Sequence, residues 1–250
     1  MTTMTAEQAL AELEQRHRAL YATPEIDGRL ETIIRAGPQT HLSKSDILKI
    51  LRSARSVFFD THVEVVSGHH TATYLRFDSI ARFPYLIRLI AEDMAAWITR
   101  TFPPDTVTGL LTTASAAEHL ANGVADRLRE MMPLRVTLTP YSCETGRIGT
   151  DIDRGAVATG DRFLALNDVT TRGNCVSKLG KVITDNGARL IGMMVFARRD
   201  SGQFPLMKDL VAQHPFYYTA DLEMPQWDPA QCPLCRNRKP LLSWKDMPEI

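Results

Sequence analysis

Along the chain, segments in which apolar residues recur at helical spacing alternate with short apolar segments typical of strands. These two patterns predict the positions of the helices and strands. Apolar residues recur at helical spacing over Ala6–Ala22 and again in "SKSDILKILRSA". In the second segment Ser43 is the expected N-cap, with Asp46 three residues further on. Phe83–Arg100 is the clearest predicted helix, whereas Val57–Val66 is rich in branched and aromatic residues and predicts a strand.

Strands and helices alternate along the middle of the chain. The predicted strands are Val107–Leu111, Leu134–Leu138, Phe163–Leu166 and Leu190–Ala197, and the helices between them are Ala117–Met131 and Val176–Asn186. This alternation predicts an α/β fold with a parallel sheet, whose ligands bind beyond the carboxyl ends of the strands. We expect an N-terminal helical segment (1–56), the α/β core (57–200) and a C-terminal tail packed on that core (201–250).

Composition and charge narrow the possible partners. The 250 residues include 29 basic and 29 acidic side chains, so the formal net charge is zero. A neutral chain argues against bulk electrostatic binding to nucleic acid or to an anionic membrane. There is no apolar run of about 18 residues, and the N-terminus lacks the pattern of a signal peptide. We therefore expect a cytoplasmic protein with no membrane or nucleic-acid partner.

One stretch, "DRFLALNDVTTRGNCVSKL", combines a strand end, a polar turn and a helix start. Backbone N–H groups at such a turn form an anion site, and Gly173 allows the backbone to approach a phosphate closely. Asp168 would repel that phosphate, so it needs another task, such as accepting hydrogen bonds from ribose hydroxyls. A phosphate site beside such a carboxylate suits a 5-phosphoribosyl group. An ordinary strand-to-helix turn is the alternative.

The same stretch resembles the phosphoribosyl diphosphate (PRPP) motif of type I phosphoribosyltransferases, and the order of segments over about residues 45–200 resembles the orotate branch of that family. The resemblance implies that Asp168 binds a ribose hydroxyl and that the turn holds the 5-phosphate. The first acidic position of the family motif is Asn167 in this chain. The implied PRPP-binding residues of this motif are Asn167, Thr170, Thr171, Arg172, Gly173, Asn174 and Cys175.

Two further segments fit the same resemblance. "GLLTTASAAEHLA" looks like the pyrophosphate loop of the family, with Thr112, Thr113, Ala114 and Ser115 as the implied contacts. "SGHHTATYLRFD" resembles the hook near the base and the pyrophosphate, with Ser67, Gly68, His69, Tyr74 and Arg76 as candidates. Taken alone, the first segment is better explained by a tight strand–helix loop, and adjacent histidines are more often exposed loop residues than ligands.

The resemblance implies an enzyme of nucleotide metabolism that uses PRPP and Mg²⁺ to ribosylate a nitrogenous acceptor, and it implies a homodimer. Orotate is the expected acceptor, while a purine, a pyridine carboxylate or a specialised amine stays open. The polar loop from Pro140 to about Thr159 lacks the lysines of the family, and Arg147 and Arg154 are its basic residues. We take Arg147 as the catalytic candidate that meets the departing diphosphate. The alternative is a non-catalytic sensor that binds PRPP or a nucleotide.

The cysteines raise the question of a metal. Cys232 and Cys235 form a CxxC motif in a segment, "WDPAQCPLC", that resembles the C-terminal end of some orotate phosphoribosyltransferases. Structural Zn²⁺ needs four ligands, so Cys143, Cys175 or His214 would have to complete the set. A reduced thiol pair is the alternative. A zinc-stabilised nucleic-acid module is a third hypothesis, and the zero net charge opposes it.

Overall fold

Six of the described strands form a central sheet, in a computed structural model that describes residues 5–35, 41–200 and 203–249. In spatial order these strands are Ile34–Arg35 (β1), Phe216–Leu222 (β12), Arg189–Arg199 (β11), Arg162–Thr170 (β10), Gly109–Thr113 (β6) and Arg135–Thr139 (β7). All neighbouring pairs are parallel except β1 with β12. The predicted α/β fold with a parallel sheet is therefore confirmed.

Helices cover both faces of this sheet. The α-helices of the described residues are Ala6–Tyr21 (α1), Glu25–Ile33 (α2), Lys44–Ser53 (α3), Phe77–Ala81 (α4), Pro84–Thr101 (α5), Ala117–Leu128 (α6), Asn174–Asp185 (α7), Pro205–Gln213 (α8) and Pro233–Arg236 (α9). Alternate residues of β10 enter opposite layers: Leu164 and Leu166 join the core under α5 and α6, whereas Phe163 and Ala165 join the core under α7. This alternation is the period-two pattern of a strand buried on both faces.

Smaller strand pairs join distant parts of the chain. Gln226–Trp227 (β13), His70–Thr71 (β4), Val63–Glu64 (β3) and Leu242–Ser243 (β14) form a second sheet in that order. Val57–Phe58 (β2) pairs with Tyr74–Leu75 (β5), and Tyr141–Ser142 (β8) pairs with Arg147–Ile148 (β9). The second sheet therefore connects the C-terminal segment to residues 63–71.

Several sequence predictions match the structure closely. The helix predicted over Ala6–Ala22 is α1, and that over Phe83–Arg100 is α5. The predicted N-cap of α3 is confirmed, because the Ser43 hydroxyl accepts the backbone N–H of Asp46 and the Asp46 carboxylate accepts the N–H of Ser43. This reciprocal pair is a capping box, which satisfies backbone donors at the helix start.

The single strand predicted over Val57–Val66 is wrong. The structure has two short strands there, β2 and β3, separated by a turn with Asp60 at φ +54°. An aspartate tolerates this left-handed conformation better than most residues. The Asp60 carboxylate is also bonded twice to the Arg29 guanidinium, at 2.6 and 2.9 Å, which holds the turn.

The C-terminal segment contributes a strand that the sequence did not predict. Residues 201–202, where the tail was expected to begin, lie outside the described residues, but β12 follows and pairs with β11 in the central sheet. The buried Asp93 carboxylate of α5 accepts hydrogen bonds from Tyr217 (2.7 Å) and Thr219 (2.8 Å) of β12. The division at residues 56 and 200 stays a prediction. Among the described residues, no helix combines the length and hydrophobicity needed to cross a bilayer.

Candidate functional site

The order of chain connections reverses between β6 and β10. The chain runs from β6 to β7 on one side of the sheet, and then crosses to β10, β11 and β12 on the other side. Parallel strands end at the same edge, so the loops after β6 and β10 leave a crevice between them, which is where open α/β sheets bind ligands. Thr112–Ser115 lies at the carboxyl end of β6, and Asn167–Cys175 lies at the carboxyl end of β10. The fold therefore brings these two predicted segments together.

The turn between β10 and α7 has the geometry of an anion site. The strand continues to Thr170, beyond the predicted end at Leu166, and α7 begins at Asn174, two residues before the prediction. Gly173 is the N-cap, with φ +89° and ψ −5°, a left-handed conformation that glycine adopts without strain. Since glycine has no side chain to cap the helix, the N–H groups of the first turn of α7 are available to an anion.

Asp168 lies half-buried near the end of β10. One of its carboxylate oxygens, Oδ1, accepts the backbone N–H of Val169 at 2.7 Å. Burial raises the pKa of Asp168 to about 6, and the nearby Asp78 adds to the rise while Arg199 opposes it. The carboxylate is therefore under-compensated, so a hydroxyl donor or a cation beside it would favour its charged form.

The other side chains of the motif are bonded locally. The buried Asn167 donates from Nδ2 to the carbonyl of Val169 at 3.3 Å. The Cys175 thiol lies 3.3 Å from the Thr170 hydroxyl, and burial raises the pKa of this thiol. Cys175 is therefore a neutral thiol that supports the turn, because reactive cysteines need a lowered pKa.

Two arginines lie beside the turn. Arg172, which the sequence predicted, places its guanidinium carbon 4.5 Å from the ring centre of Phe204. Arg199, which the sequence analysis did not select, is buried and donates from Nε to the Thr171 hydroxyl at 3.2 Å. Its burial lowers the pKa of the guanidinium. Arg199 is the last residue of β11, so the rule that ligands bind at carboxyl ends of strands is the signal that would have found it.

Tyrosines complete the polar lining near Asp168. Burial raises the pKa of Tyr74 to about 12, with the charges of Arg199 and Asp168 acting on it in opposite directions. Burial also raises the pKa of Tyr141 of β8, and Asp168 adds to that rise. Both phenols therefore stay protonated and can donate hydrogen bonds. Tyr74 was a predicted hook residue, whereas Tyr141 was not selected from the sequence.

The remaining hook residues are held by the C-terminal segment. His69 places Nδ1 3.0 Å from the carbonyl of Ser67 and Nε2 2.9 Å from Asp228. Gly68, at φ +76°, forms the turn between β3 and β4. Arg76 donates to the carbonyl of Met247 and to Glu249 at 2.8 Å.

The pyrophosphate-loop candidates are partly occupied by internal hydrogen bonds. The N–H of Ala114 donates to the carbonyl of Thr139 at 2.9 Å, and the N–H of Ser115 donates to that of Thr113 at 2.8 Å. The hydroxyls of Thr113 and Ser115 are 2.8 Å apart. By contrast, the buried Thr112 hydroxyl has no hydrogen-bond partner among the described residues. The N–H groups of Ala114 and Ser115 are thus already bonded, and the Thr112 hydroxyl is the polar group of this loop that lacks a partner among the described residues.

The long polar loop contains a hairpin, β8–β9, and its two arginines, Arg147 and Arg154, have different surroundings. A Cβ at Gly146 would lie 2.6 Å from Val66, so the tip of the hairpin packs against the hook. Arg147 is exposed and forms no ion pair with the described residues, whereas Arg154 is bonded to Glu118 at 2.6 Å. Arg147 is therefore the loop arginine that is open to an incoming anion.

Cys232 and Cys235 lie together with two histidines. The prediction that Cys143, Cys175 or His214 completes a ligand set with them is wrong, since among the described residues the side chains grouped with them are His62 and His70.

Comparisons with known proteins agree with this geometry. The chain is 28% identical over 197 residues to an orotate phosphoribosyltransferase of Thermus thermophilus, a match that covers 78% of this chain and 98% of the relative. It is 25% identical over 201 residues to the orotate phosphoribosyltransferase of Chlorobium phaeobacteroides, covering 80% and 94%. Orotate phosphoribosyltransferase from Aeropyrum pernix superposes with a TM-score of 0.52 at 16% identity, over 69% of this chain and 92% of that one.

The chain has a type I phosphoribosyltransferase fold and is similar to orotate phosphoribosyltransferases. A second solved relative, orotate phosphoribosyltransferase of Mycobacterium tuberculosis H37Rv in complex with inorganic phosphate, has a TM-score of 0.51 at 17% identity, over 69% of this chain and 94% of that one. At these identities the solved structures establish the phosphoribosyltransferase fold alone. No family model matches the chain.

Proposed function

We propose that this protein is a phosphoribosyltransferase that moves the 5-phosphoribosyl group of PRPP to a nitrogenous acceptor and releases diphosphate. The observation that carries the proposal is the uncapped start of α7, set beside the under-compensated Asp168 where the sheet order reverses. The similarity to orotate phosphoribosyltransferases supports it, because the match covers nearly the full length of those relatives.

Some residues around the turn would bind the 5-phosphate of PRPP, and others would bind its ribose. The N–H groups at the start of α7 and the Thr171 hydroxyl would bind the 5-phosphate, with Arg172 and Arg199 supplying positive charge. Asp168 would accept hydrogen bonds from ribose hydroxyls through the oxygen not used by Val169. The hydroxyls of the loop after β6 would contact the diphosphate.

Mg²⁺ is the metal that the resemblance implies, and the donors near Asp168 fit it. Mg²⁺ binds through one or two carboxylates plus substrate phosphates and water, and Asp168 offers a carboxylate whose charge lacks compensation. When bound, the metal would stabilise negative charge on the diphosphate leaving group. Asn167 adds no charge and is bonded to Val169, so Asp168 alone would bind the ion at this strand end.

The acceptor is best approached through the relatives. The relatives that the chain matches over nearly their full length are orotate phosphoribosyltransferases. Orotate is therefore the first acceptor to test, followed by a pyridine carboxylate, with adenine as the neutral comparison.

The test is release of diphosphate from PRPP and Mg²⁺ in the presence of each acceptor. We expect turnover with orotate and its loss in Asp168→Asn, while Asp185→Asn at the far end of α7 stays near wild type. Asp185 is a matched control because it is exposed and its ion pair is with Lys181 in the same helix. Equal turnover in both variants would remove Asp168 from the mechanism. Sedimentation would test the homodimer that the resemblance implies.

A non-catalytic sensor of PRPP or a nucleotide is the second candidate. It is favoured by Asn167 in place of a carboxylate and by Arg154, which is bonded to Glu118. Calorimetry separates the two candidates: PRPP binding without consumption of orotate, pyridine carboxylates, purines or amines would support the sensor. Neither binding nor turnover would contradict both.

A further inference from the structure

Four metal-ligating side chains converge in the second sheet, away from the sequence motif for PRPP. His62 and His70 come from the β3–β4 region, and Cys232 and Cys235 come from the C-terminal segment. One donor atom from each lies within 4.8 Å of all the others. Because at least 160 residues separate the histidines from the cysteines in sequence, tertiary structure alone brings the four together.

The distances between these atoms are those of a tetrahedral site. His62 Nε2 lies 3.1 Å from His70 Nδ1, 3.5 Å from Cys232 Sγ and 3.6 Å from Cys235 Sγ. Cys235 Sγ lies 3.2 Å from His70 Nδ1. Ligand bonds of about 2.05 Å to nitrogen and 2.3 Å to sulfur make the edges of a tetrahedron about 3.3 Å (N–N) and about 3.6 Å (N–S). The observed separations match these edges to within about 0.4 Å.

We propose that His62, His70, Cys232 and Cys235 form a structural Zn²⁺ site of the Cys₂His₂ type. Two thiolates and two neutral imidazoles balance the charge of Zn²⁺, so the occupied site buries no net charge. His62, His70 and Cys232 are buried, at 2%, 5% and 0% exposure. Four protein ligands leave no open position, which is the property of structural rather than catalytic zinc.

The surroundings of His62 prepare it to bind a metal. Its Nδ1 lies 2.8 Å from the carbonyl of Lys239, to which it can donate. This bond places the proton on Nδ1 and leaves the lone pair of Nε2 for the metal, as outer hydrogen bonds do in known zinc sites.

The site would fasten the C-terminal segment to the hook. Its ligands flank the sheet in which β13 pairs with β4 and β14 pairs with β3, and Ser67–His69 forms the turn between β3 and β4. Each of these strands has two residues, so their hydrogen bonds alone give little stability. A metal joining the two chain segments supplies the missing stabilisation, as in small zinc-bound units.

Zinc content of the purified full-length protein tests the proposal directly. We expect about one Zn²⁺ per chain by mass spectrometry of the metal after dialysis under reducing conditions. Cys235→Ser should lose the zinc and lower the thermal midpoint, whereas Cys143→Ser, which removes an exposed thiol outside the cluster, should change neither. Cys235 is the exposed ligand, so its substitution is the least disruptive to the core. Cys235→His should retain zinc, because it replaces one ligand with another.

A second measurement keeps the proposal open to refutation if the serine variant does not fold. Wild-type protein stripped with a chelator and reloaded with Co²⁺ should show the visible bands of tetrahedral cobalt and thiolate-to-cobalt charge transfer. Wild-type protein with neither zinc nor cobalt uptake, or with a disulfide between Cys232 and Cys235, would overturn the proposal. So would full zinc content in folded Cys235→Ser. None of these readouts depends on turnover of PRPP, so the zinc site and the proposed function can fail separately.

Discussion

Arg199 Nε donates to the hydroxyl of Thr171 over 3.2 Å, so the last residue of β11 is bonded to the turn that follows β10. The guanidinium is buried, and burial lowers its pKa. Keeping a cation there costs folding energy, and a ligand anion at the turn would offset that cost. We therefore propose that Arg199 is a binding residue of the site rather than a structural one.

We predict that Arg199→Gln weakens PRPP binding by about 10- to 100-fold, or about 1.5–3 kcal/mol, the usual value of a charge-assisted hydrogen bond. The thermal midpoint should not fall, because the variant removes a buried charge. Calorimetry with PRPP and Mg²⁺ measures the affinity. Arg189→Gln is the control, since Arg189 is exposed at the opposite end of β11. A variant that binds normally but is unstable would assign Arg199 to the fold.

Asp168→Asn should stabilise the free protein at neutral pH while abolishing transfer. The pKa of Asp168 is raised from 3.8 to about 6, so between these values the folded state holds more protons than the unfolded state and stability falls as pH rises. Asparagine has no charge to bury, so Asp168→Asn avoids this loss of stability. We expect its free energy of unfolding to exceed that of wild type by about 1–2 kcal/mol above pH 6 and to equal it below about pH 4. Urea unfolding of both proteins at several pH values measures this gain. A variant that is less stable at pH 8 would contradict the prediction.

The rate should depend on the same ionisation. We expect kcat/KM to rise as pH increases through about 6, because the charged form of Asp168 binds ribose hydroxyls and the metal. Saturating Mg²⁺ should move this rise in kcat/KM to lower pH, since a nearby cation favours the charged carboxylate. In Arg147→Ala the rise in kcat/KM should occur at the same pH as in wild type. A flat profile between pH 5 and 8 would show that another step or group limits the reaction.

Gly173→Ala should weaken PRPP binding through the shape of the turn. A side chain at φ +89° costs about 1–2 kcal/mol, and its Cβ would lie 3.2 Å from both Leu210 and Met207. The turn would shift to relieve this contact and take its N–H groups out of position. Gly187→Ala is the matched control, because Gly187 has φ +80° at the other end of α7. We expect both variants to lose stability and only Gly173→Ala to lose affinity, and equal affinities would place the phosphate elsewhere.

Arg147→Ala should lower kcat by two or three orders of magnitude, about 2–4 kcal/mol, with little change in PRPP affinity. Arg147 is exposed on the hairpin and forms no ion pair with the described residues, so it is available to the departing diphosphate in the transition state. Arg189→Ala serves as the comparison in steady-state assays. Normal turnover in Arg147→Ala together with a loss in Arg154→Ala would mean that Arg154 has the role instead.

The turn at residues 167–175 was predictable because its signals are local. A strand, a polar turn with Gly173 and a helix start lie within a few residues of one another, and the backbone geometry follows from them. The capping box of Ser43 and Asp46 is local in the same way. The boundaries were less exact, because the pairing of Asn167, Val169 and Thr170 with β11 extends the strand past Leu166, where the continuous apolar run ends.

The sequence by itself determined the alternation of elements, the parallel sheet and the loops where ligands would bind. Only the tertiary structure decided that β12 enters the central sheet, that Arg199 reaches Thr171, and that His62 and His70 meet Cys232 and Cys235. The physical reason is the range of the interactions. Helix caps and turns are fixed by neighbours in the chain, whereas strand partners and metal ligands far apart in sequence are selected by the packing of the whole core, which no local pattern records.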